Sequence, residues 1–344
     1  MLASTCPNCG QLLFFENSVC LGCGSRLGYA PELQQLVLTG PGRRACANLK
    51  VAACNWLVPD DDPIALCASC RLTRTRPNDD DVAGMNAFRL AEAAKRRLLA
   101  QVNGLGLPIV DRETDPGCGL AFDLLSSRNQ EVMTGHEDGI ITLDLSESDA
   151  VHREFVRLQM GEPYRTVLGH LRHEIAHYFW PMLHRNDESL AEFRALFGDE
   201  RISYEAALER HYGDGPPADW PQRHVSAYAT MHPWEDWAET FAHFLHIEAG
   251  TATAESFGMR VGEPSLAAAR RSMGNGAPAG ESRSMIERWL ALTFAMNAIA
   301  QSLGQQALYP FVLAPEVMRK LDYVRGRIAT ISDDTVATSA TMAR

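Results

Sequence analysis

Residues 168–180 read LGHLRHEIAHYFW, and within them His173, Glu174 and His177 decide how the rest of the chain is read. Ile175, Ala176, Tyr178 and Phe179 surround the charged residues, which argues against an exposed polar turn and for a helix from about Tyr164 to Trp180, with Pro163 near its start. On a helix, side chains at i and i+4 share a face, so His173 and His177 can hold one metal ion while Glu174 addresses its bound water. A chance HExxH in a chain of this length has a probability of roughly 2%. Zinc lowers the pKa of such a water towards neutrality, and Glu174 can then accept its proton and pass it to a leaving amine.

A third ligand must come from elsewhere. The pattern HExxHxxGxxH is not met, because Trp180 stands at the glycine, Leu183 at the third histidine, and His184 is one residue off. Upstream, Cys118 in PGCGL offers a thiolate of the kind peptide deformylases use, although only its Gly-Cys pair matches their pattern. Downstream, Glu235 and Glu239 in HPWEDWAETFAHF lie one turn apart on a helix expected to start at Pro233. One of them can ligate while the other holds a ligand histidine. His170 lies a turn before His173 and reads as a packing residue or a support of the site. His243 and His246 read as structural or solvent-facing, and Asp236 points about 100° away from Glu235. Trp234, Trp237, Phe241 and Phe244 read as core.

Eight of the nine cysteines fall between Cys6 and Cys70. CPNCG supplies Cys6 and Cys9, CLGCG supplies Cys20 and Cys23, and each pair leads into a glycine, so two knuckles can close one four-thiolate zinc site. Cys46, Cys54, Cys67 and Cys70 form a second set of four, of which only the CASC pair has knuckle spacing. So short a segment buries little apolar surface, and metal binding is expected to supply much of its folding free energy. Thiolate ligands fit a reducing compartment. The start MLASTCPNCGQLLFF has no basic stretch before an apolar run and no segment approaches a membrane span, so a cytoplasmic protein is expected.

A net charge of −11 offers no general attraction to nucleic acid or anionic lipid. Residues 1 to 76 carry seven basic and five acidic side chains, a balance of +2 that two four-thiolate zinc sites turn to about −2. At 344 residues, 46% hydrophobic and 22% charged, the chain fits one large and one small globular domain. RLTRTRPNDDD suggests an exposed linker at 71–82, dividing a ribbon domain over 1–76 from a main domain over 83–330. MNAFRLAEAAKRRLLAQV repeats at helical spacing until NGLGLP stops it, and HEDGIITLDL reads as a strand over Gly139 to Leu145. Residues 250–283 read as a long loop, helices resume at SMIERWLALTFAMNAIAQSL and PEVMRKLDYVRGRI, and 331–344 reads as a disordered tail.

Two resemblances sharpen this. SAYATMHPWEDWAETFAHF is similar to the third-ligand region of anthrax lethal factor, where a tyrosine, a ligand glutamate seven residues on and a supporting glutamate four further occur in that order. Tyr228, Glu235 and Glu239 match this spacing, which implies that Glu235 ligates, Glu239 holds a histidine and Tyr228 stabilises an oxyanion. From CPNCG to PFVLAPEV the chain resembles the bacterial zinc-binding metallopeptidases that join a zinc ribbon to an HExxH domain. The resemblance supports the domain layout and the metal site, with an α+β zincin-like fold whose small sheet packs on the active-site helix; ligand counting gives one catalytic and two structural zinc ions, and a peptide or protein substrate is expected. The strand Gly139 to Leu145 would be the edge to which an extended substrate adds. Two alternatives are a catalytically silent zinc-stabilised scaffold, against which the intact Glu174 counts, and a non-peptide amidase or deformylase.

Overall fold

The computed structural model describes residues 3–128, 130–159, 162–274 and 276–342, with side chains as far as Ile331. The chain is mixed α+β and divides into two units, Met1–Gly161 with Arg165–Leu171, and Glu162–Tyr164 with Arg172–Arg344.

In the first unit the cysteine pairs form tight turns, Gly10 N–H donating to Cys6 O at 2.9 Å and Gly24 N–H to Cys20 O at 2.8 Å. Both glycines have left-handed φ, +75° and +73°, which is why each CxxC runs into a residue without a side chain. Short antiparallel pairs frame these turns: β1 (Ser4–Thr5) with β2 (Leu12–Leu13), β3 (Leu27–Ala30) with β4 (Gln35–Leu38), and β5 (Arg43–Ala45) with β6 (Leu57–Pro59). The helical turn α1 (Ala68–Arg71) follows Cys67 and carries Cys70.

Next come β7 (Thr73–Thr75), α2 (Val82–Gly104), β8 (Ala121–Leu125), β9 (Gly135–Glu137), β10 (Ile140–Asp144) and α3 (Ala150–Gln159). The four strands make one sheet in the order β7-β8-β10-β9, with β7 and β10 parallel to β8 and β9 antiparallel to β10. Two expectations are corrected here. The stretch expected to be an exposed linker contains β7: Thr73 and Thr75 are β-branched, and Arg74 Nε donates to Asp123 Oδ1 at 2.9 Å, a charge suited to a sheet edge. The strand around Ile141 lies inside the sheet, because Asp138 and Gly139, both at positive φ, form a two-residue hairpin turn that adds β9 on its outer side. β10 therefore offers no free edge for a substrate.

Phe88, Leu98 and Val102 of α2 are buried with Phe122, Leu124, Ile141 and Leu143 of the sheet. Charge is buried with them. Lys95 Nζ lies 2.6 Å from Glu92 Oε1, which also accepts the Thr73 hydroxyl at 2.6 Å, and Arg96 donates to the carbonyls of Ala52 at 3.2 Å and Ala53 at 3.1 Å. Such groups are tolerated inside only when paired in this way.

The second unit is helical: α4 (Val167–Leu183) from Arg172 onward, α5 (Asp187–Phe197), α6 (Tyr204–Asp214), α7 (Pro233–Ser256), α8 (Ser265–Met273), α9 (Gly280–Ser302) and α10 (Pro315–Met342). α7 is its axis, in contact with α5, α9, α10 and the 3-10 turn Tyr228–Thr230. Trp237 and Phe241 are fully buried, and a side chain like that of Phe241 contributes roughly 1.5–3 kcal/mol by leaving water. Trp237 Nε1–H also donates to Ala176 O at 3.0 Å, tying α7 to α4. The expected loop over 250–283 is instead the end of α7, all of α8 and the start of α9. Its alanines, loop-like by composition, are the best helix formers, and Ala254, Ala269 and Met273 are buried. The expected disordered tail, 331–344, is helical backbone through Met342, while its side chains past Ile331 lie outside the described residues. It holds neither glycine nor proline, so nothing in it stops a helix already nucleated. Among the described residues no helix is long and apolar enough to cross a membrane.

Candidate metal centres

Three groups of metal-ligating side chains occur among the described residues: Cys6, Cys9, Cys20 and Cys23; Cys46, Cys54, Cys67 and Cys70; and His173, His177 and Glu235. In the first, Cys6 Sγ lies 3.7 Å from Cys23 Sγ and Cys9 Sγ 3.6 Å from Cys20 Sγ; in the second, Cys54 and Cys67 are 3.5 Å apart. These are far beyond a disulfide bond. Bonds of about 2.3 Å to a tetrahedral zinc ion would set sulfurs roughly 3.7 Å apart, so both clusters fit the ion. They differ in exposure: Cys9 and Cys23 face solvent, whereas all four cysteines of the second group are buried.

The histidine group is built from two helices. α4 brings His173 and His177 to one face, their ring centroids 5.1 Å apart. α7 begins where its sequence dictates, with Nδ1 of His232 accepting the Trp234 N–H at 3.1 Å, Pro233 at the first position and acidic residues in the first turn. That start places Glu235 Oε2 3.0 Å from His173 Nε2 and Glu235 Oε1 3.7 Å from His177 Nε2. A tetrahedral ion with bonds of about 2.0–2.1 Å separates its donors by roughly 3.3–3.4 Å, so an imidazole, imidazole and carboxylate set at these distances fits zinc. Burial alone would raise the Glu235 carboxyl, but the two imidazoles hold it well below the usual range, so it remains an anion available to a cation.

Glu239, one turn further along α7, accepts from His173 Nδ1 at 2.7 Å through Oε1 and from the Ser226 hydroxyl at 2.7 Å through Oε2. Glu174 is 5% exposed, beside both histidines on α4. Tyr228 opens the 3-10 turn before α7 with its ring centroid 6.0 Å from that of His173, and burial raises its phenol pKa. Two participants escaped the sequence reading. One is Ser226. The other is Tyr204, whose hydroxyl donates to Glu235 Oε1 at 3.1 Å.

The remaining candidates fall elsewhere. Cys118 is exposed and belongs to none of the three groups. His170 Nδ1 donates to Glu147 Oε2 at 2.8 Å within the first unit, and Glu147 is held down to about 2 because His170 and Arg165 outweigh its burial. His243 pairs with the Tyr309 hydroxyl at 2.7 Å and His246 with Arg172 at 2.6 Å, so both are structural. Asp236 turns away from the centre to Lys320 Nζ at 2.5 Å. Trp237, Phe241 and Phe244 are core, as expected, but Trp234 is only half-buried and stands with its ring 4.6 Å from His177. Its position in the first turn of α7, beside Glu235, takes it to the ligands instead of the core.

Comparison with known proteins bears on these centres. The family described as putative zinc-binding metallo-peptidase matches residues 84–327, and a zinc-ribbon domain family matches residues 3–81. The chain is 48% identical over 332 residues, covering 96% of either sequence, to uncharacterized proteins of Mycobacterium bovis and of two strains of Mycobacterium tuberculosis. No solved structure matches it.

Proposed function

We propose a zinc-dependent peptidase, from the premise that the chain belongs to the putative zinc-binding metallo-peptidase family and carries a zinc-ribbon domain. The observation that carries the reading is the convergence of Glu235 on His173 and His177, with Glu174 on the same helix between them. When bound, zinc supplies Lewis acidity, which makes a water more acidic and a carbonyl more electrophilic. His173 and His177 would hold it through Nε2 and Glu235 through its carboxylate. Glu239 accepts a hydrogen bond from Nδ1–H of His173, fixing the tautomer that leaves Nε2 free to ligate. The Glu174 carboxylate removes the proton of the attacking water and returns it to the amine nitrogen as the peptide bond breaks. Tyr228 donates its hydroxyl to the developing oxyanion.

The two cysteine clusters hold structural zinc, giving one catalytic and two structural ions. The substrate is a peptide or protein, the compartment is the reducing cytoplasm, and neither nucleic acid nor membrane is a partner.

Digestion of a peptide library, read by mass spectrometry, tests the activity: wild type should cleave, and Glu174→Gln should retain zinc but lose at least about 10²-fold in rate. Zinc-loaded wild type that cleaves nothing would leave the silent scaffold as the reading. Glu235→Ala should lose the third zinc while Cys118→Ser retains it, and the opposite pattern would indicate a deformylase-like centre.

A further inference from the structure

The ligand oxygen of Glu235 is not the only one with a partner. Oε2 faces His173, while Oε1, 3.7 Å from His177 Nε2, receives the hydroxyl of Tyr204 at the exposed start of α6, a helix whose one buried residue is Ala207. The placement of Tyr204 is itself built. Nε2–H of His232 donates to the Ile202 carbonyl at 3.2 Å, and the Tyr204 and His232 rings lie 5.4 Å apart. The same His232 caps α7 through Nδ1, so one imidazole aligns the helix that carries the ligand with the segment that carries the phenol. Ser203 then starts α6, its hydroxyl accepting the Ala206 N–H at 3.2 Å.

A phenol has one proton. Because an ionised carboxylate can only accept, that proton is committed to Glu235. We propose that Tyr204 is a positioning residue of the metal centre: its hydroxyl holds one oxygen of Glu235 and so orients the other towards His173. This rests on the reading of Glu235 as a zinc ligand. Supporting hydrogen bonds to metal ligands typically carry a 10- to 100-fold effect on metal affinity.

The test uses the full chain, with zinc at the third site measured against competing chelators by elemental analysis. Tyr204→Phe keeps the ring and should weaken that site 10- to 100-fold while leaving both cysteine clusters loaded. If Glu235→Ala loses the third zinc and Tyr204→Phe binds it as wild type does, the role of Tyr204 is overturned and the ligand reading stands. If Glu235→Ala retains the zinc, the ligand reading falls instead. Amide exchange of α6 in zinc-loaded wild type and in Glu235→Ala decides the matter even if Tyr204→Phe fails to fold. Loss of the carboxylate should speed exchange of the first turn of α6 by about tenfold, the scale of one hydrogen bond to a charged group, and equal rates would overturn the proposal.

Discussion

His173 is held at both ring nitrogens by carboxylates of one helix, Glu239 at 2.7 Å from Nδ1 and Glu235 at 3.0 Å from Nε2. The two contacts differ in kind. Glu239 is anchored in turn by Ser226, so it fixes the ring, whereas Glu235 shares the side of the ring on which an ion would sit.

That asymmetry predicts unequal consequences for the two glutamates. Glu239→Ala should weaken zinc at the third site about 10- to 100-fold without removing a ligand, whereas Glu235→Ala should abolish it. Chelator competition measures both, and equal affinities for the two variants would contradict the assignment.

Ring and hydroxyl of Tyr228 should also separate. With the ring retained, Tyr228→Phe is expected to keep the melting temperature and zinc content of wild type while turnover falls about 10²-fold, the lower end for one oxyanion donor. Steady-state kinetics with any peptide cleaved by wild type reads this. Unaltered turnover would remove Tyr228 from the mechanism, and loss of zinc would make it structural.

The two cysteine clusters should release metal in order. Exposed Cys9 and Cys23 make the first cluster the accessible one, while the second is buried throughout. Under increasing chelator, a thiol reagent with peptide mapping should label Cys118 first, then Cys6, Cys9, Cys20 and Cys23, and Cys46, Cys54, Cys67 and Cys70 last. Elemental analysis should begin at three zinc ions per chain, matching the three groups. Earlier labelling of the buried set would refute the order.

Acid should destabilise the second unit through His184. Burial pulls its pKa down from 6.5 to about 4, against the opposing pull of the Trp180 carbonyl that accepts from Nδ1 at 2.9 Å. The unfolded chain therefore takes up the proton first. The contribution is whole above pH 6.5 and is lost as pH falls towards 4, at no more than about 1.4 kcal/mol per pH unit. Denaturant unfolding across this window should show a shallower slope for His184→Phe. His224 and His243, also near 4 through burial, should leave a residual slope, and an unchanged slope would exclude His184 as a contributor.

What the sequence made legible follows from the range of each signal. HEIAH, the CxxC turns and the Pro233 start are local, so their helices, turns and donors could be placed from a few residues. Glu235 required a resemblance as well, because spacing alone left Glu235, Glu239 and Cys118 open. Tyr204 and Ser226 were invisible: a hydroxyl 31 residues before its carboxylate has no periodicity to betray it. The short helices α5 and α6 do carry local signs, a capping box at Asn186 and Ser189 and a cap at Ser203. The interior place of β10 was hidden because its outer neighbour, Gly135–Glu137, has almost no apolar content to mark it as a strand.

The contact of Arg96 with Ala52 and Ala53 reaches the loop between the second cluster's first two cysteines, and Lys95 and Glu92 reach Thr73 beyond its last. A gene fragment beginning after residue 81 would strand the Arg96 guanidinium without its carbonyls and strip a strand from the sheet. The ribbon is thus part of the packing of α2, and another module in its place would need its own acceptors for Arg96.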